Sequence, residues 1–410
     1  MANSLGHLLR VFLPFALGYF LSYLFRTINA VIAPDLVRDI GLDPASLGLL
    51  TSVYLLAFGA FQLPLGLLLD RFGPRRVEAG LLTIAAAGAF LFSQATSFTG
   101  LLVGRALIGL GVSACLMAAF KAFSLWFEPR RLPFANGVQM VSGGLGALAA
   151  TRPVEAALQI TDWRGVFLFI AGLTLVAAIV IFFVVPERNS SQPGEPFNDQ
   201  LRGIGTVLRS RYFWRIAPWA FTAQAAYLSI YGLWSGPWLR DVAGFERDAV
   251  ANTLLAISVA MICGYFAFGA LAERLSRRGL TPLTTAATGL FLFLAAQSLL
   301  LLPFSDLALL RWLLFGFFGT AAILPYAILS QHFPPNLTGR ANTALNLLVF
   351  FAAFSAQWGI GVIIDFWPTT ETGGYAVAGY RAGFGTTIIL QILAIAWFIF
   401  SAPDNTEDRT

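Results

Sequence analysis

Tyr19, Ser22, Tyr23, Arg26 and Asn29 are spaced three, one, three and three, which on an α-helix puts all five on one face. The guanidinium at the top of that stripe has a definite chemistry. It cannot be deprotonated, and its planar fork meets a carboxylate or phosphate with two parallel hydrogen bonds. Arg26 lies about 16 residues, roughly 24 Å, into a long apolar stretch, a turn or so beyond the middle of a bilayer. An arginine there costs about 2.5–3.5 kcal/mol on insertion scales, and such charges face a cavity rather than lipid. The competing reading is that Arg26 snorkels to the outer headgroups or pairs with a carboxylate.

A second candidate cation is Lys121 in MAAFKAFSLWF, the one lysine beside 25 arginines. It sits about 6–8 Å from the inner interface, where it could equally snorkel. Two further polar stripes lie in the second half of the chain. Gln224, Tyr227, Tyr231 and Trp234 are spaced three, four, three, and Asn342, Asn346 and Gln357 share one side of a later helix. Either stripe could line a cavity or serve as packing and interhelical glue. The candidate substrate-binding residues are therefore Arg26, Tyr23, Tyr19, Asn29, Lys121, Tyr227, Tyr231 and Asn346.

The elements that must hold these residues are set by composition. Of 410 residues 57% are hydrophobic and 11% charged, where a soluble domain keeps about a quarter charged. The chain must present apolar surface to lipid, which excludes a secreted scaffold, a nucleic-acid binder and a soluble enzyme. Runs long enough to cross about 30 Å of hydrocarbon fall at 10–33, 46–69, 77–95, 101–126, 134–157, 165–185, 214–238, 250–271, 281–302, 307–330, 341–364 and 383–402. The longest polar interruption follows the sixth and divides the chain into an N-terminal bundle 1–186, a cytoplasmic linker 187–213 and a C-terminal bundle 214–410. With the N-terminus inside, inner segments hold 16 basic residues and outer ones eight, so both termini are expected in the cytoplasm. MANSLGHLLR lacks the cleavage site of a secretory signal and reads as the start of an uncleaved first helix.

Two loops repeat at nearly one offset, which points to duplication. Gly66-Leu-Leu-Leu-Asp70-Arg71-Phe-Gly73-Pro-Arg75-Arg76 recurs as Gly269 to Arg278 at an offset of 203, with Glu273 and Arg274 in place of Asp70 and Arg71. Phe127-Glu-Pro129 through Asn136 recurs as Phe333-Pro-Pro335 through Asn342 at 206, next to Arg340. The first loop, G-x-x-x-D-R-x-G-x-R-R, resembles the signature of the major facilitator superfamily. Arg105 with Gly109, Gly111 and Ala114, and the turn Asp162-Trp163-Arg164, resemble further motifs of that superfamily. The resemblance covers essentially the whole chain and implies an all-α membrane fold of twelve helices in two pseudo-symmetric six-helix bundles. It also implies a cytoplasmic gate made by Gly66, Asp70, Arg71, Arg75, Glu273, Arg274 and Arg340. Asp70 would meet the N-terminal end of the eleventh helix near Ala341, where free N–H groups favour an anion, and Glu273 would mirror it at the fifth.

Gly18-Tyr19 through Arg26 to Pro34 resembles the first helix of the organophosphate:phosphate exchangers and related organic-anion porters, in which an arginine at this position grips the substrate's anionic head. The exchangers' second arginine, on their seventh helix, corresponds here to Ile230, so a singly charged or carboxylate substrate is expected rather than a phosphate held by two arginines. None of the 21 acids falls in the middle of a span, Glu155 and Asp365 being at the outer rim, and no proton relay, nucleotide loop, metal cluster or other cofactor site is visible. The expectation is a monomeric, alternating-access transporter of a small organic anion in the inner membrane. An efflux pump for lipophilic compounds and a transporter-like ligand sensor are the alternatives, and no enzyme site can be assembled.

Overall fold

The computed structural model describes residues 2–128, 131–187, 197–279, 281–302, 307–371 and 373–401. It is all helical, and the helices make twelve passes. Eight stretches among the described residues are long and apolar enough to cross a bilayer, and Pro44–Ala60 and Leu283–Leu299 are shorter apolar helices. Large apolar side chains such as Phe169, Phe183, Ile389 and Leu393 face outward and exposed, as expected where the surrounding medium is lipid.

Several passes are interrupted. Span one is Ala2–Thr27 continued by Asn29–Ile40, with Ile28 at the break. Span two, which begins with Pro44–Ala60, runs into the helix Gln62–Gln94, where Gly73 at φ 77° and ψ 160° turns the chain into span three. That backbone conformation is closed to side chains with a Cβ, which accounts for the glycine between Asp70 and Arg75. Span four is Phe98–Gly111 and Cys115–Trp126, and span five is Leu132–Ala149 and Arg152–Leu158. Span six is Trp163–Val184. Part of the linker forms a helix, Phe197–Leu208, whose Val207 is buried in the core of the second half.

Span seven is Arg211–Ser229, a π-helical turn Ile230–Trp234, and Ser235–Asp241. Spans eight and nine are Arg247–Arg277 and Pro282–Leu299. Span ten is Ala308–Gly319 joined to Leu324–His332 through a 3₁₀ turn. Pro335–Ile364 and Val377–Phe400 complete the set.

The Asp162-Trp163-Arg164 turn has a clear structural role. Asp162 caps span six through the Gly165 N–H at 2.8 Å, the Trp163 indole donates to Asp39 at 2.9 Å, and Arg164 donates to the Ala95 carbonyl at 3.1 Å. The outer ends of spans one, three and six are thereby tied together.

The two halves press together at their outer ends. Gly236 of span seven lies against the Ala30 carbonyl of span one so closely that a Cβ would collide with it. Gly361 of span eleven meets the Pro44 carbonyl in the same way. Gly236→Ala forces a methyl onto backbone that cannot rotate away, at about 1–3 kcal/mol. The expected result is a lower melting temperature in detergent, and melting like the wild type would show that these segments are not pressed together.

Candidate functional site

Arg26 stands where the two halves meet. Its side chain is half-buried, and its guanidinium carbon lies 4.7 Å from the Tyr23 ring, 5.0 Å from Phe58 and 5.7 Å from Phe350. Phe58 of span two and Phe350 of span eleven are themselves 4.5 Å apart, so the enclosure is made by both halves. The groups that act on Arg26 are the tyrosines Tyr54, Tyr23 and Tyr19, with no carboxylate among them. Its Nε is buried without a hydrogen-bond partner. Aromatic faces are worth about 0.5–2 kcal/mol each to a guanidinium, but they accept none of its N–H groups. The snorkelling alternative does not fit this placement.

The tyrosines of spans one and seven gather around the same seam. Tyr19 and Tyr23 rings meet edge to face at 5.1 Å, and the Tyr19 hydroxyl donates to Met140 Sδ at 3.8 Å. Tyr265 of span eight is close enough to interact with Tyr23, Arg26 and Tyr231. Tyr227 and Tyr231 stack at 5.8 Å; the Tyr231 hydroxyl shares a hydrogen bond with Ser258 at 2.7 Å, while the Tyr227 hydroxyl is buried with no partner. Gln224 Oε1 is another buried atom without one. Asn346, a turn before Phe350, accepts from Tyr326 at 3.0 Å. Ile230, at the position of the exchangers' second arginine, is fully buried. The glycine run of span five serves this arrangement: a Cβ at Gly143 would strike the Tyr19 and Tyr23 rings, and one at Gly146 the Phe20 carbonyl.

Three expected members sit elsewhere. The Lys121 ammonium pairs with Asp70. Ser22, one turn inward of Arg26, is level with Val112, whose carbonyl it approaches at 3.5 Å, and Lys121 is nine residues, about 14 Å, further inward. It is too deep on the cytoplasmic side to share an anion with Arg26. Asn29 lies past the break in span one, fully buried, and its amide donates to Thr51 at 2.8 Å. It fastens span one to span two and does not face the seam. Asp70, in turn, does not meet the start of span eleven, because a full positive charge on span four outweighs the roughly half charge of a helix end.

The other loop residues are similarly placed. Gly66 is half-buried on span two, and Arg71 is exposed beside the Phe72 ring at 5.3 Å. Arg75 and Arg76 reach Glu187 at the end of span six, at 3.9 and 2.6 Å. Arg274 is exposed, Arg340 packs on Gly203 of the linker helix, and the side chain of Glu273 lies outside the described residues.

The outer end carries a network that the sequence left as rim residues. Arg247 of span eight grips Asp35 of span one with two bonds of 3.0 and 2.9 Å, and Glu155 of span five with two of 3.0 and 3.2 Å. Arg152 pairs with Asp248 beside it. Asp35, Glu155, Arg247 and Asp248 line an outer cavity of about 610 Å³, and the pairs join spans one and five of the first half to span eight of the second. Aromatics such as Phe58, Phe350 and Tyr265 gave no sequence signal, since nothing separates a ring at a seam from a ring in a core.

Residues 15–357 match the family described as the Major Facilitator Superfamily. The chain is 27% identical over 251 residues to the hexuronate transporter of Escherichia coli K12, covering 57% of this chain and 58% of that protein's length. It is 25% identical over 303 residues to a probable sulfoacetate transporter of Cupriavidus necator, covering 70% of each. Its fold superposes with a TM-score of 0.77 on a bacterial homologue of the human lysosomal transporter Spinster in an inward-facing, occupied conformation, at 18% identity and 98% coverage of both chains. That likeness is one of fold.

Arg247→Gln removes the cation between two buried carboxylates. In a chain whose own cysteines are replaced by alanine, a cysteine at Ser235, now fully buried, should react with an impermeant maleimide about tenfold faster, as loss of about 1.4 kcal/mol of closing bias would give. An unchanged rate would mean that the ion pairs do not hold the outer side shut.

Proposed function

The chain belongs to the major facilitator superfamily, and from that premise we propose that it carries a small organic monoanion, a carboxylate of the hexuronate kind, across the cytoplasmic membrane by alternating access. The observation that carries this reading is a guanidinium with no carboxylate partner, enclosed by rings from both halves. A substrate carboxylate supplies the missing charge and accepts the N–H groups that the rings cannot. Hydroxyls of Tyr227, Tyr231 and Tyr265 then face the remainder of the substrate. One cation suits one negative charge, since the second charge of a dianion would be desolvated with nothing opposite it. The hexuronate and sulfoacetate relatives support an anionic substrate.

The bundles 1–186 and 214–410 rock about the Arg26 level, joined by the linker 187–213, with both termini inside and the protein acting as a monomer. With the outer pairs closed, the inner loop is in its released arrangement, Asp70 being held by Lys121. When the inner side closes, Asp70 exchanges that partner for the start of span eleven. Gly66, Arg71, Arg75, Glu273, Arg274 and Arg340 border the same gate.

A ligand at 100 times its dissociation constant adds about 2.7 kcal/mol of stability, which a melting curve reads directly. D-galacturonate should stabilise the wild type and neutral D-galactose should not. Arg26→Lys should weaken the effect, because an ammonium lacks the fork, and Arg26→Gln should abolish it while folding is preserved. Wild-type stabilisation of a folded Arg26→Gln protein would remove Arg26 from the site.

A further inference from the structure

Tyr227 of span seven is held differently from its neighbours at the seam. Its ring packs against Phe293 of span nine at 6.0 Å, Phe315 of span ten at 5.6 Å and Tyr231 at 5.8 Å. Gly319 of span ten makes room for it, since a Cβ there would collide with the ring. Three spans of the second half therefore fix the phenol in place. The residue is 3% exposed, and its hydroxyl has no hydrogen-bond partner in the protein. Nearby tyrosines use theirs, Tyr231 with Ser258, Tyr19 with Met140 and Tyr54 with the Ser22 carbonyl. Tyr227 is nevertheless close enough to Tyr23 of the first half, and to Tyr231 and Tyr265, to interact with each, so its hydroxyl belongs to the seam that encloses Arg26.

Gln224, one turn earlier on the same face of span seven, has a matching vacancy. Its carboxamide Oε1 is buried and accepts from no donor in the protein. Two such groups left unmet cost stability, and neither makes a bond that would explain it as a structural fastener. A hydroxyl answers both at once, because one oxygen donates its proton and accepts another. It can donate to Gln224 Oε1 while accepting from the Tyr227 O–H. An ether or ketone oxygen only accepts, an ammonium only donates, and a methylene does neither.

We propose that Tyr227 and Gln224 form a hydroxyl-reading subsite of the transport site, and that this subsite makes the carrier select hydroxylated monocarboxylates over apolar ones of the same size and charge. The proposal rests on the transporter reading above and adds to it the part of the substrate that the second half recognises. Arg26 cannot make this choice, since its fork meets any carboxylate alike. Tyr227 and Gln224 can, because an apolar ring in the same place leaves both polar groups buried and unpaired in the complex.

The test compares two monoanions, D-galacturonate and cyclohexanecarboxylate, the second having a six-membered ring and a carboxylate but no hydroxyl. Dissociation constants come from thermal shifts of the full-length protein in detergent, and selectivity from competition against D-galacturonate counterflow in proteoliposomes. The wild type should bind D-galacturonate at least tenfold more tightly than cyclohexanecarboxylate. Tyr227→Phe keeps the ring and removes only the hydroxyl. It should weaken D-galacturonate about three- to tenfold, the worth of one hydrogen bond, and leave cyclohexanecarboxylate unchanged or bound more tightly. Gln224→Met should act in the same direction, and serves if the phenylalanine variant does not fold. Arg26→Lys, by contrast, should weaken both anions by the same factor. Equal wild-type affinity for the two anions, or a Tyr227→Phe protein that binds both as the wild type does or weakens both alike, overturns the subsite while leaving anion transport standing. Failure of the wild type to respond to either anion overturns the transporter reading and the subsite with it.

Discussion

The structure is organised around Arg26, a guanidinium at the seam of the two halves with no carboxylate partner among the described residues. Guanidinium groups held away from bulk water are tolerated when something offsets their lost hydration: fully buried Arg105 donates to the Phe25 carbonyl at 3.1 Å beside the Tyr54 and Phe92 rings, and the exposed outer end and the seam meet the same need in two other ways. At the outer end Arg247 is saturated by two carboxylates from two other helices, and the product is a static closure. At the seam Arg26 has rings on its faces and, among the described residues, tyrosines but no acid acting on it, which on the proposed function leaves room for an anionic substrate. A full carboxylate partner at Arg26 would stabilise the protein and remove the affinity that an anionic substrate could use.

Much of this was readable before any fold was known. The Arg26 stripe, the twelve passes and the repeated loops follow from spacing and hydropathy, because an embedded charge and a 20-residue apolar run have few alternative explanations. What escaped were facts of pairing. Lys121 and Asp70 are 51 residues apart and lie in different spans, and nothing in a single sequence says that they meet. Phe58 and Phe350 are two among 38 phenylalanines. Glu78 was not singled out, lying at the inner end of the span 77–95 next to Arg75 and Arg76, yet Gly73 and Pro74 start span three so abruptly that one turn later the chain is already inside the core and Glu78 is completely buried.

Helix interruptions explain how a closely packed bundle retains freedom to move. The breaks at Ile28, between Gly111 and Cys115 and at Ala150 to Thr151 belong to spans one, four and five, and the π turn of span seven and the 3₁₀ turn of span ten lie in the other half. Each leaves carbonyls without their usual helical donors, and side chains from other helices take some of them, as Ser22 and Gln62 do in span four. Such joints bend at less cost than continuous helix. Two of them fall beside the polar residues of the seam, the break at Ile28 next to Arg26 and the π turn around Tyr231.

The duplication makes the asymmetry of the site informative. A shift of 204 residues, between the two loop offsets, carries Tyr23 onto Tyr227 and Arg26 onto Ile230. The tyrosine is retained in both halves and the cation in one. On the proposed function, a substrate between the halves would meet charge from the first and neutral hydroxyls and amides from the second, where Gln224 Oε1 and the Tyr227 hydroxyl are buried without a hydrogen-bond partner. Two arginines would hold a dianion from both sides and resist its release. One arginine opposed by tyrosines fits a molecule with a single anionic end and a hydroxyl-bearing remainder, which is the shape of a sugar acid. In the proposed function the same asymmetry gives the anionic end of the substrate to the N-terminal half, which carries Arg26, and leaves the C-terminal half, with Ile230 at the matching position, to the neutral remainder.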